Sequence, residues 1–203
     1  MLEKEKFCRF FLIKKFKIIF FTFFLFLIFI NASQANLREK IIKKLEETNT
    51  LSFNFIQKIA ENEEVGKCFI KYPLLMKCDY QNEKKKTLIS NGKTVAIIKK
   101  KYKKIYYYPI KRTPLFIILN KKNLLNFIKN NVPTKITFDE VEFEFVNKDS
   151  NALKIIFDKK TLELKGWETK DLYSNKVSFL IKNIEKNMQI NSNFFKIPKE
   201  ENL

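Results

Sequence analysis

Cys68 and Cys78 stand five residues either side of Pro73. If residues 72 to 74 form the loop of a hairpin, the two thiols face each other on one side of a sheet. In an oxidising compartment they could then lose two electrons to form a disulfide. A register change of one residue would instead leave them as free buried thiols. Histidine is absent from the chain, so no Ser-His-Asp or Cys-His nucleophile and no histidine metal site can exist, and the usual near-neutral proton shuttle is missing. No Gly-rich phosphate loop, nucleophile elbow or metal-spaced cluster occurs. The acidic residues mostly alternate with other residues or flank lysines, the pattern of a solvated face. No catalytic residue, metal or cofactor is therefore expected.

A second group with chemical potential is Tyr106-Tyr107-Tyr108, preceded by Lys99, Lys100, Lys101, Lys103 and Lys104. Aromatic rings among lysines can stack bases and grip phosphates. The N-terminus argues against a nucleic-acid partner. Lys14, Lys15 and Lys17 lead into an apolar run from Ile18 to Ile30 broken only by Thr22, and Ala32-Ser33-Gln34-Ala35 offers small residues for cleavage. The run is shorter than the roughly 20 residues a spanning helix needs. Residues 1–35 are thus expected to be a signal peptide cleaved after Ala35; retention as an anchor is the alternative. Asn36, not Cys, follows, so no lipid attachment at a new N-terminus is expected. Outside the cytoplasm the basic strand is expected to touch anionic lipid or a transporter, with its tyrosines on both sides of a sheet.

The net charge of +18 falls by four when six basic and two acidic residues leave with the signal. The lysines are spread along nearly every segment, so net charge alone says little. The remaining 36–203 is long enough for one domain with a sizeable core. Leu37, Ile41 and Leu45 recur every four positions and predict a short amphipathic helix to about Thr48. The period then changes to two: Leu51, Phe53 and Phe55 alternate with polar residues, as do Val141, Phe143 and Phe145. Gly66–Tyr72 and Leu75–Tyr80 flank Pro73-Leu74. Lys86–Ser90 and Thr94–Ile98 flank Asn91-Gly92, a pair suited to a type I′ turn. Ala152–Phe157 and Leu162–Trp167 form another pair, and Lys176–Lys182 with Ile184–Ile190 reads as a last one. An apolar helix from Pro114 to about Lys129 interrupts the strands, and the polar tail from Lys199 is expected to fray. About ten strands and two helical pieces predict an antiparallel sheet that curls, with helices over its concave face.

The order of these features resembles the LolA family of outer-membrane lipoprotein carriers. The resemblance runs over residues 37–198 through Phe55-Ile56-Gln57, Gly66, Ile70, Tyr72-Pro73, Asn91-Gly92-Lys93 and Thr113-Pro114-Leu115. It continues through Phe157-Asp158, Leu162, Leu164, Trp167, Asp171 and Phe194-Phe195-x-Ile197-Pro198. It implies a mainly β fold, an unclosed antiparallel barrel of ten or eleven strands with a helical lid over an apolar cavity. It also implies a periplasmic carrier that takes acylated lipoproteins from an inner-membrane LolCDE-type transporter and delivers them to a LolB-type outer-membrane acceptor, and a monomer. A lipid-sensing regulatory module resembling RseB is the alternative on the same half-barrel. Phe53, Phe55, Ile70, Tyr72, Met76, Leu115 and Ile118 are the candidate cavity and lid residues, with ordinary core as the competing role for each. Members of the family commonly carry Arg before the Pro, where it bonds to the lid; Tyr72, with one hydroxyl donor, implies a looser and more apolar latch.

Overall fold

Alternation of apolar and polar residues makes strands here because one face of each can be buried while the other meets water or a second layer. The computed structural model describes residues 36–81, 85–146, 152–171 and 174–203; the expected signal lies outside them. The chain forms two compact units, Met1–Glu39 and Lys40–Leu203. Of the first, residues 36–39 are described, and they are helical.

The second unit is built on eleven strands: β1 (Thr50–Ile59), β2 (Asn62–Lys71), β3 (Leu75–Tyr80), β4 (Lys86–Asn91), β5 (Thr94–Lys99), β6 (Lys104–Pro109), β7 (Lys135–Ile136), β8 (Glu140–Val146), β9 (Ala152–Asp158), β10 (Leu164–Lys170) and β11 (Lys176–Lys186). They form one antiparallel sheet in the order β6-β5-β4-β3-β2-β1-β11-β10-β9-β8-β7, so the sheet is not closed and β6 and β7 are its edges. The helical elements are α1 (residues 36–46), α2 (Leu115–Leu119) and α3 (Lys121–Asn130).

The cross-strand register defines two faces. The lid face carries the row Leu51, Ile70, Met76, Ser90, Val95 and Tyr108, and beside it the row Phe53, Cys68, Cys78, Leu88, Ile97 and Tyr106. Across β1 it continues through Phe179, Trp167, Ile155 and Phe143. The helices cover this face: Phe127 of α3 meets Phe143 and Phe145 edge-on, and Ile41, Ile118, Leu119, Leu124 and Ile128 are fully buried.

The back face differs along its length. Behind β1 to β6 the residues after β11 return across the sheet. The Thr50 hydroxyl donates to Met188 O (2.7 Å) and Lys71 Nζ to Ile190 O (2.8 Å). Phe194 packs edge-on against Phe69, with Lys77 Nζ 4.2 Å above its ring. Ile197 and Leu203 cover a cluster of Ile89, Ala96, Ile98 and Ile105, and a Glu200 carboxylate oxygen accepts from the Ile105 N–H at 2.8 Å. The tail from Lys199 is thus docked, because its apolar residues find an apolar sheet face, rather than frayed.

Other sequence expectations shift in register or continuity. The last strand pair is one strand, β11: Asn183, with φ 54°, sits where the pairing with β1 slips between Ser52 and Asn54. Asn tolerates that left-handed conformation, so a residue that reads as a turn makes a bulge. The helix expected from Pro114 to Lys129 breaks at Asn120, whose ψ of 88° is not helical and whose side chain accepts from Asn123 N to start α3. Between β4 and β5 only Gly92 has positive φ. The central turn pair is Gly92-Lys93, a type II′ arrangement rather than I′.

Candidate functional site

The candidate site residues fall on four elements and one turn. Phe53 and Phe55 are on β1, Ile70 on β2 and Met76 on β3, all on the lid face and all 1% exposed or less. Ile118 on α2 is fully buried, while Leu115 at the start of α2 stays partly exposed. Tyr72 stands in the turn between β2 and β3. Five residues therefore meet in one apolar layer between sheet and lid, with Tyr72 and Leu115 at its margin.

The layer is organised by stacked aromatic rings absent from the candidate set. Phe179 of β11 lies flat against Trp167, with centroids 4.0 Å apart and planes at 7°, and against Phe55 at 4.7 Å and 16°. Phe55 meets Tyr80 edge-on at 4.8 Å, and Phe53 meets Phe179 edge-on at 6.3 Å. Gly66, opposite Phe55, makes room for this: a Cβ there would lie 2.7 Å from the Phe55 ring and 2.3 Å from the Asp79 carbonyl oxygen. The polar groups on this part of the lid face satisfy each other. The Tyr80 hydroxyl donates to Gln57 Oε1 at 2.6 Å, and burial, with Glu64 nearby, pushes that hydroxyl well above its ordinary pKa. The alternating pattern carried Phe53 and Phe55. Phe179 carried the same kind of signal, on a strand read as ending at Lys182 rather than Lys186.

One rim of the lid is pinned to the sheet by polar contacts. The Leu74 N–H, in the β2–β3 turn, donates to the Leu119 carbonyl at the end of α2 (2.9 Å), and the Ser90 hydroxyl holds the Leu74 carbonyl at 2.6 Å. Lys121 Nζ, at the start of α3, donates to Glu46 O (2.6 Å) and Thr48 O (2.9 Å) behind α1, and lies 6.0 Å from the Tyr72 ring centroid. Burial lowers the Lys121 pKa, with Glu46 acting against it.

Tyr72 makes no hydrogen bond through its hydroxyl to the described lid residues. Its ring keeps some surface, but its hydroxyl is sealed from water and has no hydrogen-bond partner among the described residues; burial pushes its pKa far up. The bond to a lid carbonyl comes from the turn's own backbone, two residues on, which reaches Leu119 first.

Cys68 and Cys78 are directly opposed on the lid face and joined by a disulfide. It ties β2 to β3 between the Ile70–Met76 pair and the Gly66–Tyr80 pair. A cavity of about 550 Å³ lies elsewhere, on the back face, where residues 188–191 pass Thr50 and Lys71. Its lining also includes Gln189 and Asn191, and it lies on the opposite face of the sheet from Phe53, Phe55, Ile70 and Met76. Among the described residues no cluster of His, Cys, Asp and Glu could hold a metal ion, and no helix is long and apolar enough to cross a membrane.

The family model of outer membrane lipoprotein carrier protein LolA matches residues 46–198, from the end of α1 to the tail over the back face. Curated proteins include no match. Solved structures similar to the chain include a LolA superfamily protein from Nitrosomonas europaea, 7% identical, with 78% of this chain and 97% of that one covered and a TM-score of 0.43. An uncharacterized conserved protein from Thermus thermophilus is 8% identical over 79% and 94%, with a TM-score of 0.48. LprF from Mycobacterium bovis is 10% identical over 79% and 96%, with a TM-score of 0.44. Likenesses this distant carry no argument, whereas the family match spans about three quarters of the sequence and agrees with an open sheet of eleven antiparallel strands under helices. The chain belongs to the outer membrane lipoprotein carrier protein LolA family.

Proposed function

We propose that the chain carries acylated lipoproteins across the periplasm, holding their acyl chains between the lid face and the helices. It receives them from a LolCDE-type transporter in the inner membrane and passes them to a LolB-type acceptor where one exists. The observation that supports this most is the lid face itself: Phe53, Phe55, Ile70, Met76, Trp167, Phe179 and Ile181 form one uncharged surface across five strands, and Ile118, Leu119, Leu124 and Ile128 lie in the helices above it. An acyl chain gains about 0.8 kcal/mol for each CH₂ removed from water, so a lipid anchor needs such a surface to cross an aqueous space. Met76, unbranched and polarizable, can shift to fit chains of different shape.

Loading requires the helices to part from the sheet. The contacts that hold them at the Leu74–Leu119 rim are a few hydrogen bonds, each contributing on the order of 1 kcal/mol. Acyl chains entering the layer replace the apolar contacts that Ile118, Leu119, Leu124 and Ile128 give up, so cargo can hold the lid open and its departure can let it close. The N-terminal apolar run and the small residues at Ala32-Ser33-Gln34-Ala35 suit export with cleavage.

Native mass spectrometry of the protein recovered from the periplasm tests the reading. The expected result is a fraction bearing a triacylated lipoprotein, displaced by a fluorescent fatty acid. Protein that carries no acylated cargo and fails to take up the fatty acid would overturn it.

A further inference from the structure

The β6 edge is a strongly cationic strip of the surface. From Lys99 to Arg112 the chain holds seven cations and no carboxylate. Among the described residues none of the seven is in an ion pair. Four tyrosines are interleaved with them, and Tyr102, Tyr106, Tyr107 and Tyr108 keep 53, 44, 55 and 44% of their surface exposed. Tyr106 and Tyr108 end the two lid-face rows that begin at Phe53 and Leu51, while Tyr107 opposes Ala96 on the back face. Lys99 Nζ sits 5.2 Å from the Tyr106 ring centroid.

We propose that this edge docks on the surface of an anionic phospholipid bilayer. Lysines attract acidic headgroups from a distance, and phenol rings settle at headgroup depth, apolar body inward and hydroxyl toward water. The cations and rings lie on both sides of the edge, as suits a flat charged surface met end-on.

The edge is poorly built for a protein strand. The Ile105 N–H, its first outward donor, is occupied by Glu200, and Pro109 has none. By alternation Tyr107 holds the one open position between them, too few for strand addition. Beyond Pro109 the chain passes through one 3₁₀ turn (Ile110–Arg112) directly into α2, and the Ile110 N–H is fixed to Lys93 O at 3.0 Å. Docking therefore brings the root of the lid helices to the bilayer surface. What docking is for rests on the carrier reading; the docking itself does not.

The test uses the full chain with vesicles rich in phosphatidylglycerol and, in parallel, vesicles of phosphatidylcholine. The expected preference for the anionic vesicles is about tenfold or more, lost in high salt. Lys100→Glu/Lys101→Glu/Lys104→Glu is expected to abolish it. Lys67→Glu/Lys182→Glu/Lys196→Glu, which removes equal charge from exposed sites elsewhere, should retain it. Tyr106→Ser/Tyr107→Ser/Tyr108→Ser, unchanged in charge, should weaken anionic binding about threefold or more. Near-ultraviolet circular dichroism checks that each variant is folded.

Equal binding to both vesicle types, or equal loss in both lysine triples, would overturn the proposal. So would a patch variant that binds vesicles normally yet fails to deliver lipoprotein, which would point to an acidic protein partner. Fatty-acid uptake without vesicles, measured in parallel, separates the two readings: its failure sinks the carrier and leaves the docking standing.

Discussion

The two halves of the sheet share one lid face and have opposite back faces. Behind β8 to β10 the outward side chains form a charged lattice. Lys154 lies between Glu142 (3.2 Å) and Glu168 (3.3 Å), Lys176 reaches Glu168 at 2.7 Å, and Lys165 reaches Glu140 at 2.9 Å. Behind β4 to β6 the back face is apolar, and the chain's own C-terminal residues cover it and extend over Phe69 of β2. In a chain so rich in lysine, net charge says little about role; placement decides it. Lysines of the first kind neutralise carboxylates across strands, while among the described residues those of the β6 edge form no ion pair.

The seam between the halves is β11, and removing its central ring is expected to damage both. Phe179→Ala takes away the ring that Trp167, Phe55 and Phe53 share. The loss should be about 3–5 kcal/mol, as for other large-to-small changes in a packed core, read as an earlier urea midpoint with the fluorescence of the single Trp167 altered. Destabilisation of one half alone, by hydrogen exchange, would show the halves to be separate folding units.

The disulfide sharpens the comparison because it lies wholly within one half. Closing a loop across a sequence separation of 10 restricts the unfolded chain by about 2–3 kcal/mol on the chain-entropy model. Cys68→Ser/Cys78→Ser is expected to lower stability by that amount, with exchange rising in β2 and β3 before β8 and β9. A thiol titration of the denatured, unreduced protein should find neither Cys68 nor Cys78 free; two free thiols at these positions would remove the bond from the account.

Much of this architecture was legible because alternation is a local property. Phe53-x-Phe55 and Val141-x-Phe143-x-Phe145 read as half-buried strands, and the placing of Cys68 and Cys78 about Pro73 put them opposite each other. What stayed hidden depends on distant partners. Asn183 reads as a turn unless the slip against Ser52 and Asn54 is known. Ile197 and Leu203 look like strays in a polar tail until the apolar back face of β4 to β6 is seen to need a cover. The lid bond from Leu74 to Leu119 joins two backbones and so leaves no mark in side-chain types. Tyr72 drew attention as a latch because it stands where Arg commonly does, but its hydroxyl has no hydrogen-bond partner among the described residues and the bond to α2 comes from the Leu74 N–H.

The lid bridges the halves, α3 lying on β8 through Phe127 and tied by Lys121 to the segment before β1. Lys121→Met keeps the apolar stem and deletes both bonds. It should cost about 1 kcal/mol, since charged hydrogen bonds contribute more but the buried charge is also relieved. Stopped-flow uptake of a fluorescent fatty acid is expected to quicken several-fold. Unchanged uptake would mean that the lid opens elsewhere, nearer the β6 edge.

Acid should separate the halves with the smallest effect. Among the described residues each carboxyl held below its ordinary pKa lies in the β7–β10 half. Burial works against Glu168, but Lys176 and Lys154 outweigh it. Thr161 and Lys160 backbone N–H groups hold Asp158 down against partial burial, and Thr137 and Lys165 do so for Asp139. A depressed folded-state pKa contributes stability that is present above the unfolded value and disappears as pH falls through the folded one. Below roughly pH 4.3, the unperturbed glutamate value, the lattice should weaken. Lys154–Glu168, one of its pairs, contributes about 1 kcal/mol or less. Hydrogen exchange corrected for intrinsic rates should then show β8 to β10 losing protection at a pH where β3 to β5, under their apolar cover, have lost none. Simultaneous loss in both halves would mean that the cover over Ile89, Ala96 and Ile98 is itself held by charge, through Glu200 at the Ile105 N–H.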